Sequence, residues 1–297
     1  PPSIVLVLLA TILQGANEEA AMLVGNLAPD PVTAIDLFAG AILPGLMLVV
    51  LFIIFIFFYA RFNPLSCPPV ETNRSRKEIY IEAAKSVIPP ITLIVLVLGS
   101  ILFGIATPTE SASVGAVGAA IIALLKGELN FKNLKETSIG TVKLSSFVFV
   151  ILIGASMFSL VFRGFGGDEM IEHFLGNLPG GLYAALILVM IVIFLLGFFL
   201  DYIEIIFVIV PLVGPILIAN GADPLWLGIL ISLNLQTSFL TPPFGFSLFF
   251  LRGVAPDSIQ TRNMYKGVIP FIGIQILAIL IVGFYPEIAT WLPNKMF

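Results

Sequence analysis

The sequence predicts an all-α integral membrane protein, a multi-span helical bundle with re-entrant helical hairpins and broken helices. Of its 297 residues, 59% are hydrophobic and only 11% are charged, whereas soluble domains average about 25% charged residues. Long uncharged runs separate short basic or acidic stretches. Several of these runs approach the roughly 20 helical residues that cross a bilayer. The composition therefore indicates an integral membrane protein.

The same composition excludes several classes of function. A single cysteine, Cys67, rules out a disulfide framework within the chain. With a single histidine, His173, it also disfavours a His/Cys metal site. The net charge of −4 gives no reason to expect nucleic acid. The chain opens on Pro1-Pro2 without a basic signal-peptide region, and we expect the start of a longer protein to be missing.

The apolar runs predict one transmembrane transport domain over residues 1–297. Residues 1–14 are interpreted as the second arm of a first re-entrant hairpin, because residues 4–13 are too short to cross a bilayer. The membrane helices are predicted at residues 35–58, 86–106, 144–162, 182–218 and 267–286, with a second re-entrant hairpin at 224–251.

The charges between these runs predict the orientation, because cytoplasmic loops are enriched in Lys and Arg. Residues 14–33 lack both and are predicted to form an external polar loop, with Glu18 and Glu19 solvated. Residues 61–85 and 126–143 are basic and therefore cytoplasmic, whereas 163–181 are acidic and external, with His173 at the surface. The orientation of 182–251 depends on whether 182–218 is one broken helix or two.

The second hairpin, with the run NLQTSFLTPPFGFSLFF at 234–250, is broken by Thr241, Pro242 and Pro243. Two consecutive prolines are predicted to end a helix, since each removes an amide donor and clashes with the preceding turn. Uncoiled backbone at membrane depth is tolerated where it is buried in protein or lines a wet cavity, as at transporter binding sites. Pro1-Pro2 before an apolar arm is similar in pattern, a weak indication of an inverted repeat.

Residues 107–110 have the sequence of a helix start. Thr107 suits the N-cap, Pro108 the first helical position and Glu110 the capping-box position, with Thr109 between them. At the membrane surface this motif merely begins a helix. At membrane depth the free amides of such an N-terminus favour an anion, and the two interpretations are about equally supported.

Uncharged polar groups precede the second proline break. Asn234, Gln236, Thr237 and Ser238 supply oxygen atoms suited to Na⁺, or they hydrogen-bond neighbouring helices. Asp201 and Glu204 lie one helical turn apart, and an acid inside a span is costly unless it is paired, ion-bound or wet. We favour a functional role for Asp201 and an interfacial position for Glu204.

Enzyme functions are disfavoured. Asp201 has no evident second acid for an aspartyl protease, and the one histidine lies in a loop, away from any serine that it could activate. Outside transport, the alternative is a structural subunit of a membrane complex, which would not need two broken helices.

Several segments resemble signature segments of the large membrane subunit (DctM family) of tripartite ATP-independent periplasmic (TRAP) transporters. The similar segments are GIATPTESASVGAVGA at 104–119, NLQTSFLTPPFGFSLFFLRGVAP at 234–256, LFAGAILPGL at 37–46 and LDYIEIIFVIVPLVGPI at 200–216. PPSIVLVLL at 1–9 is similar to the tip and second arm of that family's first hairpin. The resemblance covers essentially the whole chain, and it implies that roughly the N-terminal third of the usual length is absent.

The resemblance implies an inverted-repeat, elevator-type secondary transporter, multi-pass in a bacterial inner membrane, importing an anionic organic acid with Na⁺ as coupling ion and no other cofactor. The implied partners are a small membrane subunit, a periplasmic solute-binding protein and the lipid bilayer. A binding-protein-independent Na⁺/dicarboxylate symporter of related architecture is the alternative. The connection 14–30 is longer and more polar than is usual in the family, which leaves the solute open.

Carried over by position, the resemblance implies two groups of site residues. The implied substrate-binding residues are Ser3, Thr107, Pro108, Thr109, Glu110, Thr241, Pro242, Pro243 and Gly245. The implied Na⁺ ligands are Asp201, Asn234, Gln236 and Thr237.

Overall fold

The computed structural model describes residues 3–65, 68, 75–242, 245–256 and 259–296. These residues form helices joined by turns and short connections. The helices are α1 (Ile4–Leu23), α2 (Ala34–Phe62), α3 (Arg76–Leu102), α4 (Pro108–Leu125), α5 (Phe131–Gly164), α6 (Gly167–Gly176), α7 (Gly181–Leu196), α8 (Tyr202–Glu204), a π-helical turn (Ile205–Ile209), α9 (Val210–Ala219), α10 (Pro224–Leu240), α11 (Phe246–Val254), α12 (Thr261–Phe284), α13 (Glu287–Thr290) and α14 (Pro293–Met296).

Among the described residues, seven helical segments are long and apolar enough to cross a membrane. Two further apolar helices, α7 and α10, are shorter. This arrangement confirms the predicted all-α membrane fold. The long segments are α1, α2, α3, α4, α5, the continuous segment Tyr202–Ala219 and α12.

The first helix differs from the prediction for residues 14–33. The sequence predicts a polar external loop from Gln14 onward, but α1 continues to Leu23. Alanines let the helix continue, and Ala16, Ala20 and Ala21 are buried against the rest of the molecule. The polar residues Gln14 and Asn17 fold the following connection back onto α1, since Gln14 Oε1 accepts from Val32 N–H and Asn17 Nδ2 donates to the Asp30 carbonyl.

A second difference concerns consecutive prolines. Pro89 and Pro90 lie inside the continuous helix α3, although two adjacent prolines are predicted to end a helix. The helix also includes residues 77–85 of the stretch predicted to be cytoplasmic. Ser75 caps its start, accepting from Glu78 N–H while Glu78 accepts from Ser75 N–H. Two consecutive prolines are therefore not sufficient to end this helix.

The chain divides into two compact units, which are described one at a time. The first comprises Ile53–Ser146 and contains the α3–α4 pair. Ser100 Oγ and Ser111 Oγ lie 2.8 Å apart across this pair, and Gly118 leaves the space that Leu93 occupies. Small residues at the contact allow the two helices to approach closely.

The second unit comprises Ser3–Phe52 and Phe147–Phe297. Its core is formed by α1, α9 and α10. Gly214 of α9 faces Ala16 of α1, and Gly228 of α10 leaves the space that Leu13 of α1 fills. Buried Trp226 Nε1 donates to the Val282 carbonyl at 2.7 Å, which places the beginning of α10 beside the end of α12.

An ion-pair cluster joins three helices of this second unit. Arg163, at the end of α5, contacts Glu19 of α1 and Asp168 of α6, each at 3.0 Å. The prediction that Glu19 is merely solvated is therefore wrong.

The segment predicted as an acidic loop after Arg163 instead contains α6, whose Leu175 is buried.

Candidate functional site

The helix predicted at 182–218 is two helices separated by an interruption at residues 197–201. α7 ends at Leu196, and α8 begins at Tyr202. Asp201 caps this new start, because its carboxylate accepts from Tyr202 N–H at 2.8 Å while Glu204 accepts from Asp201 N–H at 3.3 Å. Both acids are partly buried. The open question of one helix or two is answered by this five-residue break.

A second interruption lies at residues 241–245, where the sequence predicts a break. α10 ends at Leu240, and Thr241 Oγ1 donates to the Thr237 carbonyl at 2.8 Å. Gly245 N–H then donates to the Thr241 carbonyl at 3.1 Å. A Cβ on buried Gly245 would stand 2.9 Å from the carbonyl oxygens of Phe239 and Thr241, so the turn requires glycine. Half-buried Pro242 belongs to the turn; Pro243 lies outside the described residues.

The two interruptions meet. Gly197, at the start of the first break, packs so closely on Ser238 that a Cβ there would overlap the Ser238 side chain. Tyr202, just after the first break, lies with its ring centroid 5.6 Å from that of Phe239, just before the second. Residues that border the two interruptions are thus brought together. The described backbone N–H groups at 197–201, 241 and 245 are all hydrogen-bonded, so carbonyl oxygens, which carry two lone pairs each, are the backbone groups that could bind a ligand here.

The first half of α1 lies beside α8 and the π-helical turn. Leu8 and Ile12 pack on Ile203 and Phe207, and further along Ala16 faces Gly214, so α1 runs parallel to the α8–α9 segment. With a rise of about 1.5 Å per residue, Ser3 at the head of α1 is level with the break before α8. Ser3 makes no side-chain capping bond to α1. A contact of Ser3 with Asp201 or Thr241 stays a prediction.

The predicted Na⁺ donors on α10 do not share one environment. Fully buried Thr237 donates its hydroxyl to the Leu233 carbonyl at 2.7 Å, and fully buried Ser238 donates to Leu235. These hydroxyl oxygens retain lone pairs for a cation. Gln236 is exposed instead.

Asn234 lies one turn further from the break. It is buried, and its Nδ2 donates to the Met190 carbonyl of α7 at 2.7 Å. Of the two roles predicted for Asn234, the structure shows the hydrogen bond to a neighbouring helix.

The predicted helix start at residues 107–110 is present in the first unit. Thr107 N–H and Oγ1 each donate to Glu110 Oε2 at 2.8 Å, and Thr107 Oγ1 accepts from Glu110 N–H at 3.3 Å. Pro108 occupies the first turn, and Thr109 is exposed. The capping-box interpretation is confirmed, whereas the predicted contact with substrate stays a prediction.

The described residues contain no group of three or more His, Cys, Asp or Glu side chains that could hold a metal ion. A sodium ion at the meeting breaks would therefore depend on hydroxyl and backbone oxygens, with Asp201 as the charged ligand. Na⁺ is a hard cation that such oxygen donors suit, as they suit other hard cations. The chemistry of the donor set fits this ion better than a transition metal.

Sequence reasoning missed the groups that hold the two breaks together. Gly197 and the aromatic pair Tyr202–Phe239 were not predicted as site residues. The available signal was the glycine four residues before Asp201 in LLGFFLD, since an isolated glycine in an apolar run marks close approach. Nothing in the sequence alone paired Tyr202 with Phe239.

Comparison with known proteins places the chain in a family. The family model described as "Tripartite ATP-independent periplasmic transporter, DctM component" matches residues 1–288. A C4-dicarboxylate TRAP transporter large permease protein of Vibrio cholerae is 32% identical over 88% of this chain and 61% of its own length. An ectoine TRAP transporter large permease protein of Halomonas elongata is 30% identical over 88% and 60%. A sialic acid TRAP transporter large permease protein of V. cholerae is 23% identical over 94% and 67%.

The seven candidate spans among the described residues and the relatives above indicate a multi-pass protein of the bacterial inner membrane in a family of transporter permeases. The chain belongs to the DctM component family of tripartite ATP-independent periplasmic transporters. It spans about three fifths of the length of the first two of these relatives.

Proposed function

We propose that this chain is part of the transmembrane subunit of a Na⁺-coupled, binding-protein-dependent importer of organic carboxylates that works by an elevator movement. The observation that carries the proposal is the meeting of the two helix interruptions at residues 197–201 and 241–245. One carboxylate, buried hydroxyls and uncoiled backbone converge there, and these are the groups that bind a coupling ion and an anionic solute in transporters.

The relatives support a carboxylate solute, since two of them are named for a C4-dicarboxylate and for sialic acid. The family description names one component of a three-part periplasmic system. We therefore propose a small membrane subunit and a periplasmic solute-binding protein as the partners. A ligand screen on the cognate binding protein would identify the solute.

The direct test is uptake by the full-length transporter in proteoliposomes containing the small subunit and the binding protein. We expect uptake to require an inward Na⁺ gradient. Undiminished uptake without Na⁺ would exclude the coupling. Uptake that needs no binding protein would instead support the symporter alternative.

Asp201 is tested by the substitution Asp201→Asn. Asparagine still caps a helix, so folding is retained while the charged Na⁺ ligand is lost, and the Na⁺ concentration for half-maximal uptake should rise. Asp223→Asn is the matched control, because Asp223 caps the far end of α10 by accepting from Trp226 N–H at 2.8 Å. Equal Na⁺ dependence in both variants would remove Asp201 from the site.

A further inference from the structure

A cavity of about 280 Å³ lies between α7, α10 and α12, in the second unit. Its floor is formed by Leu186, Leu230 and Asn234, which are at most 6% exposed. Pockets for small ligands occupy roughly 300–1,000 Å³, so this cavity is at the small end of that range. On α10 the cavity ends about two turns before Thr241, at Asn234, whereas on α7 it reaches Phe194, about one turn before Gly197.

The rim of the cavity is apolar and open. Ile187 and Phe284 are 59% and 78% exposed, and Tyr183, at 63%, adds one hydroxyl. No Lys, Arg, Asp or Glu is among the described residues that line it. A carboxylate solute would find no counter-charge here. The lining is as apolar as a surface that faces hydrocarbon, and α12 is a candidate span.

The floor offers a ligand little polarity. Asn234 Nδ2 is engaged with the Met190 carbonyl at 2.7 Å, so the buried amide donor is directed to α7. Apolar cavities of this kind stay free of water and accept apolar ligands. If the cavity were empty, its lining residues would lack the dispersion contacts that a bound group provides.

We propose that this cavity is the binding site of one acyl chain of a bilayer phospholipid, which packs between α10 and the two helices that flank it. The bound chain would hold α10 in the position in which Asn234 contacts Met190 and Ser238 contacts Gly197. Lipid would thereby stabilise the helix that leads into the break at 241–245. The inference does not depend on the identity of the transported solute.

The experiment uses the full-length transporter with its small subunit, reconstituted with a phospholipid that carries a photoreactive diazirine in its acyl chain. Gly283→Phe should fill the cavity, because Gly283 lines it and a Cβ there has open space. Gly273→Phe is the matched control, since Gly273 lies on the same helix with equally open space but does not line the cavity.

We expect wild type and Gly273→Phe to be labelled at the floor residues Leu186 and Leu230, and Gly283→Phe to lose most of this labelling while other membrane-facing positions stay labelled. Equal floor labelling in the two variants would overturn the proposal. So would a wild type labelled elsewhere but not at the floor. Floor labelling that appears only without the small subunit would also overturn it, because a protein partner would then cover the cavity.

Discussion

At the residue scale, Thr241 connects the end of α10 to the turn at 241–245. Its Oγ1 donates to the carbonyl four residues earlier, as Thr290 Oγ1 does to Pro286 in α13. Thr241→Val and Thr290→Val each remove one such bond, and each should cost about 1 kcal/mol of stability. Only Thr241→Val should also lower uptake in proteoliposomes, because it alone alters the proposed site. Equal uptake by the two variants would contradict a role for Thr241 beyond stability.

Gly197 is the tightest glycine position at the meeting breaks. Its φ of −64° suits any residue, so the contact with Ser238 alone excludes a side chain. Gly197→Ala should destabilise the protein by about 1–3 kcal/mol through overpacking. Gly154→Ala is the control, since Gly154 of α5 has open space. Thermal unfolding of the purified transporter should show a lower Tm for the first variant only; similar Tm values would mean that the contact relaxes freely.

The sequence identified residues with side-chain oxygen atoms, but it did not show which neighbours these side chains contact. Asn234, Gln236 and Thr237 are close in sequence, yet successive helical positions turn by about 100°. Asn234 and Thr237, three residues apart, therefore share a buried face, whereas Gln236 is exposed. On that face Asn234 bonds the Met190 carbonyl of α7, and Thr237 bonds the Leu233 carbonyl of its own helix. The capping box at Thr107 was predictable because it depends on local spacing alone.

At the element scale, the Arg163 cluster joins the ends of α1, α5 and α6. Arg163→Ala should weaken this junction by about 1 kcal/mol or less, because all three side chains are partly solvated. Lys132→Ala, which breaks an exposed pair with Glu136 within α5, should change nothing measurable. Hydrogen exchange of the α1 and α6 amides should report the difference, and unchanged protection in Arg163→Ala would show that packing alone holds these helices.

Helix existence was predictable from apolar runs, whereas helix ends were not. Residues 14–23 are polar enough to predict a loop, but alanines spaced along one face are buried and extend α1. Pro89-Pro90 sits inside α3, while the break at 241–245 coincides with crowded Gly245. A proline pair alone therefore does not determine whether a helix ends, so the sequence motif did not distinguish the two cases.

At the scale of the whole molecule, the charges predict which loops face the cytoplasm. In a transporter whose Cys67 is replaced by serine, a cysteine at Lys132 should resist a membrane-impermeant maleimide until the inner membrane is disrupted. A cysteine at Glu172 should react in cells whose outer membrane alone is permeable. Labelling in the opposite order would invert the predicted topology, which follows from the excess of Lys and Arg in 126–143.

The π-helical turn Ile205–Ile209 sets a rotational offset between Asp201 and α9. A π turn holds one residue more than the α-helical turn that it replaces, so the face of α9 that meets α1 is rotated relative to the capped start of α8. Removal of one residue from this turn would restore regular α-helical phase. Gly214 would then turn about 100° away from Ala16, or Asp201 would turn away from its place beside the second break. The π-helical turn therefore lets Gly214 face Ala16 while Asp201 keeps its present orientation at the start of α8.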